Sequence, residues 1–306
     1  MESVTVPPEL DGTRLDRCLA ALFPHLSRSR IERGIIARNV FLNGQPGLRK
    51  SRTVKAGDHL ELDLPDSLDK PPESSKTLRL LYRDEHLLVI DKPVGISVHP
   101  GAGERRETIM DILLREYPQV AAMSADSERP GIVHRLDRDT SGVLILALHR
   151  RSMRRLMRQF NERLIHKSYL GLVAGIPRIP AGIIDLPLMR SRRDRRRITV
   201  ARRPDEPGVR AAETRYELLL RLGDCALVRL DPHTGRTHQL RVHMRQHGTP
   251  ILGDEWYGRG RGPAFPRLAL HAHQIRFQHP DTGFPMIAVS PMPGEFSAFI
   301  RSRLKS

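Results

Sequence analysis

Cysteine is scarce: the 306 residues hold only Cys18 and Cys225. Two thiols are too few for a disulfide framework or a thiolate zinc site. Cys18 falls in a helical apolar pattern and Cys225 in a strand-like one, which reads as two small core residues. Long apolar runs are missing as well. The longest, residues 143–148 (VLILAL), is far below the roughly 18 residues that cross a bilayer. Met1-Glu2-Ser3 opens no basic-then-apolar export segment, so a cytoplasmic protein with no membrane partner is expected. Aromatic residues make up 5% of the chain, which argues against a reader that stacks many bases along one strand. Acids are outnumbered, 35 Asp+Glu to 51 Lys+Arg, for a net charge of +16. A hydrophobic content of 39% is nevertheless enough for a core and excludes a disordered polybasic tail. The length suits one large domain or two to three ordinary ones.

The positive charge is concentrated in two places. Residues 28–55 carry eight Lys/Arg against one acid, Glu32, and residues 190–203 carry eight Arg against Asp194 alone. A solvated face is the plain reading of one such run, but two separate clusters fit a polyanion footprint better. Neither alternates with large apolar residues as a membrane-surface helix does, so nucleic acid is preferred, and folded RNA held by shape and phosphate suits the low aromatic content. Residues 190–203 lack strong apolar periodicity. They are expected to form a loop that is mobile alone and orders on RNA phosphates.

Leu15, Leu19, Leu22 and Phe23 recur at helical spacing, and Ser27 or Ser29 can cap a second short helix carrying Ile31 and Ile35. Strand patterns follow at 40–42, before the Asn43-Gly44 turn signal, and at 59–64. This small α+β unit resembles the S-four RNA-binding domain, through Arg14-Leu15-Asp16, Ser27-Arg28-Ser29, Asn43-Gly44 and residues 54–60. The resemblance implies an RNA-facing helix pair, here Arg28, Arg30, Arg33 and Arg38. Prolines and serines at 65–75 mark a stiff polar linker. The expected division is residues 1–64, a linker at 65–77, and a catalytic domain at 78–306.

Beyond the linker, strand-like runs occur at 78–81, 87–90, 143–148, 169–173, 214–220 and 225–230. A helical run at 150–164 places Met153, Leu156, Met157, Phe160 and Leu164 on one face and Arg151, Arg154, Arg155 and Arg158 outward. Many strands with few regular crossovers predict an α+β fold with a mixed or antiparallel sheet.

Three stretches are polar where the pattern predicts burial. Residues 131–142 include Asp137, Asp139 and Ser141, the opening of a calcium loop, but its twelfth position holds Leu148 instead of an acid. A phosphotransferase aspartate would follow a continuous apolar strand, which His134 and Arg135 interrupt. In residues 231–247, His243 and His247 have the spacing of helical zinc ligands, yet no Glu follows His243 and Arg241 and Arg245 would crowd a dication, so no metal is expected. If Thr237 onward is helical, Leu240, Met244 and His247 face the core while His238, Arg241 and Arg245 share a face able to meet a carboxylate or phosphates. The third stretch, residues 166–173, is a strand in which Tyr169 can equally be a core aromatic.

Asp91-Lys92-Pro93, residues 98–101 (VHPG), 134–142 (HRLDRDTSG), Lys167-x-Tyr169, residues 233–243 (HTGRTHQLRVH), Gly253-Asp254 and Leu270-His271-Ala272 occur in an order and spacing similar to pseudouridine synthases of the RluA/RluD family, over residues 80–300. The resemblance implies uridine-to-pseudouridine isomerisation in RNA, most naturally a stem-loop of large-subunit ribosomal RNA or the assembling subunit, without cofactor; a monomer is expected. It implies Asp137 as the nucleophile, Tyr169 as the ring packing against the target base, and Arg241 as the salt-bridge partner of Asp137. Arg135 would fill the stack vacated by the flipped uridine, with Arg236 and His238 as further RNA contacts. The residue types suit the chemistry, because an aspartate that adds to ribose or assists elimination must be ionised, and a guanidinium keeps it so and aimed. His134, Asp139 and Thr140 are expected to shape the loop. The rival classes are a non-catalytic RNA-binding protein, for which an acid facing RNA would be useless, and a metal-dependent RNA hydrolase, for which paired ligands are lacking.

Overall fold

The computed structural model describes residues 2–26, 30–31, 34–35, 37–46, 49–64, 76–100, 106–124, 127, 129–203, 205–258 and 260–304. The chain divides into two compact units, residues 1–75 with 102–105, and residues 76–101 with 106–306. Ser27, Arg28, Ser29 and Arg33, with most of the expected linker, lie outside the described residues.

In the first unit, β1 (Glu2–Thr5), β2 (Val40–Leu42) and β3 (His59–Leu62) form an antiparallel sheet in the order β1-β3-β2. Helix α1 (Leu15–Leu22) buries Leu15, Cys18 and Leu19 in a core with Ile31, Ile35, Val40, Leu60 and Leu62. Those helical residues recur every three or four positions, so one face is apolar. Asn43 and Gly44 both adopt positive φ, 51° and 74°, the left-handed pair that a tight hairpin turn requires. The Asn43 side chain donates to Asp58 and accepts from the His59 amide, tying the turn to β3.

The second unit is built on a nine-stranded sheet. Its strands are β4 (Leu80–Arg83), β5 (Leu87–Lys92), β6 (Ser141–Ala147), β7 (His166–Ala174), β8 (Ala181–Asp185), β11 (Glu213–Leu222), β12 (Cys225–Pro232), β13 (Leu270–Gln278) and β14 (Pro285–Val289). The order is β4-β5-β6-β13-β7-β12-β11-β8, with β14 on β13. The β6–β13 pair is parallel and the other pairs are antiparallel, so the sheet is mixed, as expected. Helices α2 (Ile109–Glu116), α3 (Arg150–Asn161), α4 (Gln239–Gln246) and α5 (Gly294–Leu304) complete the unit. Strand β6 is buried at every position, consistent with its uninterrupted apolar sequence in the middle of a covered sheet.

Two expectations need correction. Helix α3 buries Met153 and Leu156, but Met157 and Leu164 are exposed, and Ser152 and Gln159 are buried in their place. Gln159 is admitted because its amide donates to the Gln278 carbonyl and accepts from the Gln278 amide, which removes the cost of burying it. Leu164 lies past the helix end, where Arg163 turns to a φ of 59°. Residues 190–203 are only in part a loop: 191–197 and 201–203 are irregular, but Arg190 and residues 198–200 are strand. They belong to an antiparallel hairpin of β9 (Leu188–Arg190) and β10 (Ile198–Val200), closed by Asp194, which accepts from the Arg196 amide and side chain. Ile198 and Val200 pack with Leu188, Val242 and Tyr257. That short alternation is hidden in sequence by the arginines around it.

One rank of residues runs across five strands: Lys92, Gly142, Ala272, Tyr169 and Leu230 are successive ladder partners. Gly142 has φ 110°, and a Cβ there would stand 2.1 Å from the Ala272 carbonyl oxygen. The clash is with backbone in a parallel pair, which cannot swing aside. Gly142→Ala is therefore expected to lower stability by ~3 kcal/mol or more, read as a fall in the thermal midpoint. A variant within a degree of the parent would show that β6 and β13 are not held this closely.

Candidate active site

Asp137 stands in the turn that feeds β6, closed by the Thr140 amide donating to the Asp137 carbonyl at 3.1 Å. The turn is anchored from below. The Arg138 carbonyl accepts from the Gly95 amide at 2.9 Å and from Lys92 Nζ at 3.0 Å. Lys92 has no exposed surface, and its ammonium also donates to the carbonyls of Pro93 and Ile96. Three donors thus meet three acceptors. Burial pulls its pKa down to about 7, against the charges of Asp139 and Asp137.

His134 and Thr140 do shape this loop. His134 Nε2 accepts from the Ile145 amide at 2.9 Å and its ring stacks on Phe160. Burial lowers its pKa to about 3, so it remains neutral. Asp139 pairs with the neighbouring Arg138, both sides half exposed. Arg135 is exposed, with its guanidinium 3.4 Å from His99 Nε2.

Tyr169 comes from β7, in the same rank as Gly142 and across Ala272 from it. It is 9% exposed. Burial first, then the Asp137 charge, raises its phenol pKa, so at neutral pH it is a ring and a hydrogen-bond donor rather than a base.

Arg241 and His238 are delivered by the start of α4. The helix begins at Gln239, not at Thr237, because His238 takes a left-handed φ of 53°. Gln239 secures the preceding loop: its amide donates to the Glu213 carbonyl and Thr214 hydroxyl, and its carbonyl accepts from the Thr234 hydroxyl and Arg236 amide. Arg241, Val242 and His243 are buried together with Leu240 and Met244, so Arg241 lies on no solvent-facing side. His243 is satisfied by the Thr214 hydroxyl and Leu186 carbonyl, and His247 by Thr249 and Tyr216.

Arg241 divides its guanidinium between two acids. Nε and one terminal nitrogen form a bidentate pair with Asp254 at 2.8 Å each, while the other terminal nitrogen stands 3.5 Å from the Asp137 carboxylate. The stronger partner is thus Asp254, whose side chain is 1% exposed and also accepts from the Trp256 and Tyr257 amides. Burial works against the Arg241 charge, but the Asp254 bonds and the charges of Asp254 and Asp137 raise its pKa overall. The Trp256 and Tyr257 rings lie 5.6 and 5.0 Å from the guanidinium centre. Asp254 and Lys92 both lie in motifs that the sequence singles out, yet their roles appear only in the folded chain, where they hold Arg241 and the Asp137 turn.

His238 Nε2 is 3.9 Å from the Asp137 carboxylate, and its Nδ1 is 2.9 Å from the Tyr257 hydroxyl. That hydroxyl accepts from the Ile198 amide and has its own proton to give Nδ1, the tautomer in which the imidazole turns Nε2–H toward Asp137. Burial lowers the His238 pKa despite the Asp137 charge.

Asp137, Tyr169, His238 and Arg241 line one cavity of about 440 Å³, the size of a small-molecule site. Among the described residues lining it, Asp137 is the one acid; Arg135, Arg163, Lys167, Arg236 and Arg241 are the cations. Lys167 was given no role in sequence. Burial lowers its pKa to about 8. Arg236 is exposed and fixed by its Nε to the Ala211 carbonyl. In the other unit, Arg38 is exposed, whereas Arg30 is half-buried and donates to the Leu64 carbonyl.

Comparison with known proteins identifies the family. Residues 86–246 match the RNA pseudouridylate synthase family and residues 13–60 the S4 domain. The chain is 37% identical to an uncharacterized RNA pseudouridine synthase of Synechocystis sp., over 96% of this chain and 90% of that protein. It is also 37% identical to the ribosomal large subunit pseudouridine synthase D of Xanthomonas campestris, over 96% and 89%. Among solved structures, human RNA pseudouridylate synthase domain containing 4 superposes with a TM-score of 0.58 at 28% identity, covering 74% of this chain and 93% of that one. A family match across more than half of the sequence and these near full-length identities give one conclusion: the chain belongs to the RNA pseudouridylate synthase family and is an RNA pseudouridine synthase.

Proposed function

We propose that the protein converts uridine to pseudouridine in large-subunit ribosomal RNA, with Asp137 performing the covalent or elimination step. The observation that carries the assignment is the carboxylate of Asp137, the one acid among the described residues lining a cavity that also holds five Arg and Lys side chains, with Arg241 at 3.5 Å. Breaking the bond between ribose C1′ and uracil N1 frees the base to turn. It rejoins through C5, which gives up its proton, while N1 gains one, so the reaction needs no net oxidant or water. The ionised carboxylate either bonds to C1′ or takes a ribose proton, and Arg241, fixed by Asp254, keeps it oriented. Tyr169 packs on the extruded base, and exposed Arg135 replaces it in the stack. Arg236 and His238 contact the same RNA. Similarity to a ribosomal large subunit synthase supports the substrate class. The mode of action is that of a cytoplasmic monomer.

The test is to incubate the full-length protein in chelator with large-subunit RNA, small-subunit RNA or transfer RNA, and to map pseudouridine chemically. Product confined to large-subunit RNA is expected; product only in another class overturns the substrate assignment, and cleavage or mere retention overturns the reaction.

Residues 1–64 serve as the RNA-targeting domain, through Arg28, Arg30, Arg33 and Arg38, joined by the 65–77 linker to the catalytic domain at 78–306. Deleting residues 1–75 should weaken RNA binding and flatten its salt dependence, by about 0.7 to 0.9 in logarithmic slope per lost phosphate contact. An unchanged slope in filter-binding titrations would remove the phosphate role of that unit.

A further inference from the structure

Beside the catalytic cavity lies a second, of about 680 Å³, and the two share Arg236 and Thr237. Its apolar surface, the floor, comes from the partly exposed Met189 and Ile198, beside the buried Leu188, and its rim carries Arg190, Arg192, Arg195, Arg210 and Arg236, with no acid among the described lining residues. Of the nearby acids, one engages the rim at Arg192 alone and the other pairs with arginines outside the lining. Glu206 pairs with Arg192 and Arg203, and Asp194 with Arg196 and Arg197. The Arg190 and Arg236 side chains donate to backbone carbonyls, of Arg195 and Ala211, so neither charge is neutralised by a carboxylate. Arg195 and Arg210 are exposed at the same opening. Four guanidinium groups thus surround one apolar floor without a protein counterion among the described residues.

The hairpin that makes this floor is fixed to the catalytic site. Ile198 and Val200 pack on Val242 and Tyr257, Arg197 lies over Trp256 and donates to its carbonyl, and the Ile198 amide donates to the Tyr257 hydroxyl that in turn meets His238. A ligand seated here is held at a set offset from Asp137.

Resting on the reading that the first cavity takes the target uridine, we infer that the RNA strand adjoining that uridine crosses Arg236 into the second cavity, where one neighbouring base lies unstacked against Met189 and Ile198 and its flanking phosphates meet Arg190, Arg195 and Arg210. Apolar floor and cationic rim match the two halves of a nucleotide, and the shared Arg236-Thr237 boundary makes the occupant continuous with the substrate in the first cavity. The second pocket therefore contributes to the choice of uridine by requiring a neighbour that can leave its stack.

The experiment uses the full-length protein and a stem-loop of large-subunit ribosomal RNA that it binds, together with copies bearing one abasic residue at each of the three positions on either side of the candidate uridine. The Arg195→Ala/Arg210→Ala double variant and its Gln/Gln counterpart are checked for an unchanged thermal midpoint, since both side chains are exposed. Relative to the parent, each is expected to raise Kd about tenfold and to lower the logarithmic salt slope by about 1.4, as for two phosphates of a single strand. The single-turnover rate at saturating protein should hold. One abasic position should cost the parent at least about fivefold in affinity and the double variants much less. Unchanged Kd and slope overturn the proposal, as does a Kd ratio between parent and variant that is the same for every abasic RNA, the signature of a merely cationic surface. If the parent itself forms no pseudouridine, the uridine reading fails, while the binding arms still decide whether this groove holds RNA.

Discussion

Asp137→Asn should bind the RNA as tightly as the parent and yield no detectable pseudouridine, a fall of at least about 10³-fold in the single-turnover rate. The amide keeps the size and one acceptor oxygen of the carboxylate, so the turn closed through the Asp137 backbone carbonyl at Thr140 survives, but it has no anion to bond C1′ or take a proton. Asp139→Asn is the control. Asp139 is half exposed and paired with Arg138, so its loss should leave substantial turnover. Arg241→Met requires more care, because it removes the bidentate partner of the buried Asp254. An uncompensated buried carboxylate costs roughly 3–5 kcal/mol, so the single variant should lose both activity and thermal stability. Arg241→Met with Asp254→Asn removes the stranded charge. It should recover much of the stability and remain inactive, since no guanidinium then faces Asp137. Activity returning with stability would limit Arg241 to a structural role. A rate near the parent in Asp137→Asn, with Asp139→Asn dead, would move the nucleophile to the other aspartate.

The family motifs were legible because each is a contiguous string: the aspartate turn, Lys167-x-Tyr169 and the Arg241 segment. Their assembly was not. Tyr169 reaches the level of Gly142 only because β13, from the far end of the chain, inserts between β6 and β7. That strand gave no clear alternation, since it places His271 in the core, where the Ser141 hydroxyl and Ser290 carbonyl satisfy its ring. The same reason hid Gln159 in α3: a polar residue is buried when its partner arrives from elsewhere, and a hydrophobic pattern cannot register that partner. The hairpin at 188–200 was obscured in the opposite way, its few inward apolar residues outnumbered by arginines. Asp254 is separated from Arg241 by the end of a helix and a turn, so nothing local links the two. Charge excess pointed to RNA correctly, but it did not separate the arginines neutralised by Asp194 and Glu206 from those left facing the second cavity.

Lys92→Met should leave RNA affinity within about threefold and lower the single-turnover rate by about 10²-fold or more, the pattern of a displaced catalytic group rather than a lost contact. Lys92 is remote from solvent, and the Arg138 carbonyl it holds is one residue from Asp137. Methionine fills similar space but donates nothing to the carbonyls of Pro93, Ile96 and Arg138, each of which then lacks this partner. Lys92→Arg should fare little better, since a planar guanidinium does not present three donors to a cage shaped around one nitrogen. The pH dependence of stability separates this lysine from a neutral filler. Its pKa is about 7 in the fold and about 10.4 in the unfolded chain. Between those values the unfolded state binds more protons, so this group makes stability rise with pH from about 7 to 10.4. Below that window the full cost of burying the charge is present; above it both states are neutral and the cost is gone. The difference between the two limits is of order 4–5 kcal/mol. Denaturant titrations of parent and Lys92→Met across this window should therefore diverge, the parent gaining stability relative to the variant as pH rises. Parallel curves would mean that Lys92 is no more hindered in holding its proton in the fold than in the unfolded chain, and a variant with parental turnover would mean that the Asp137 turn keeps its place without it.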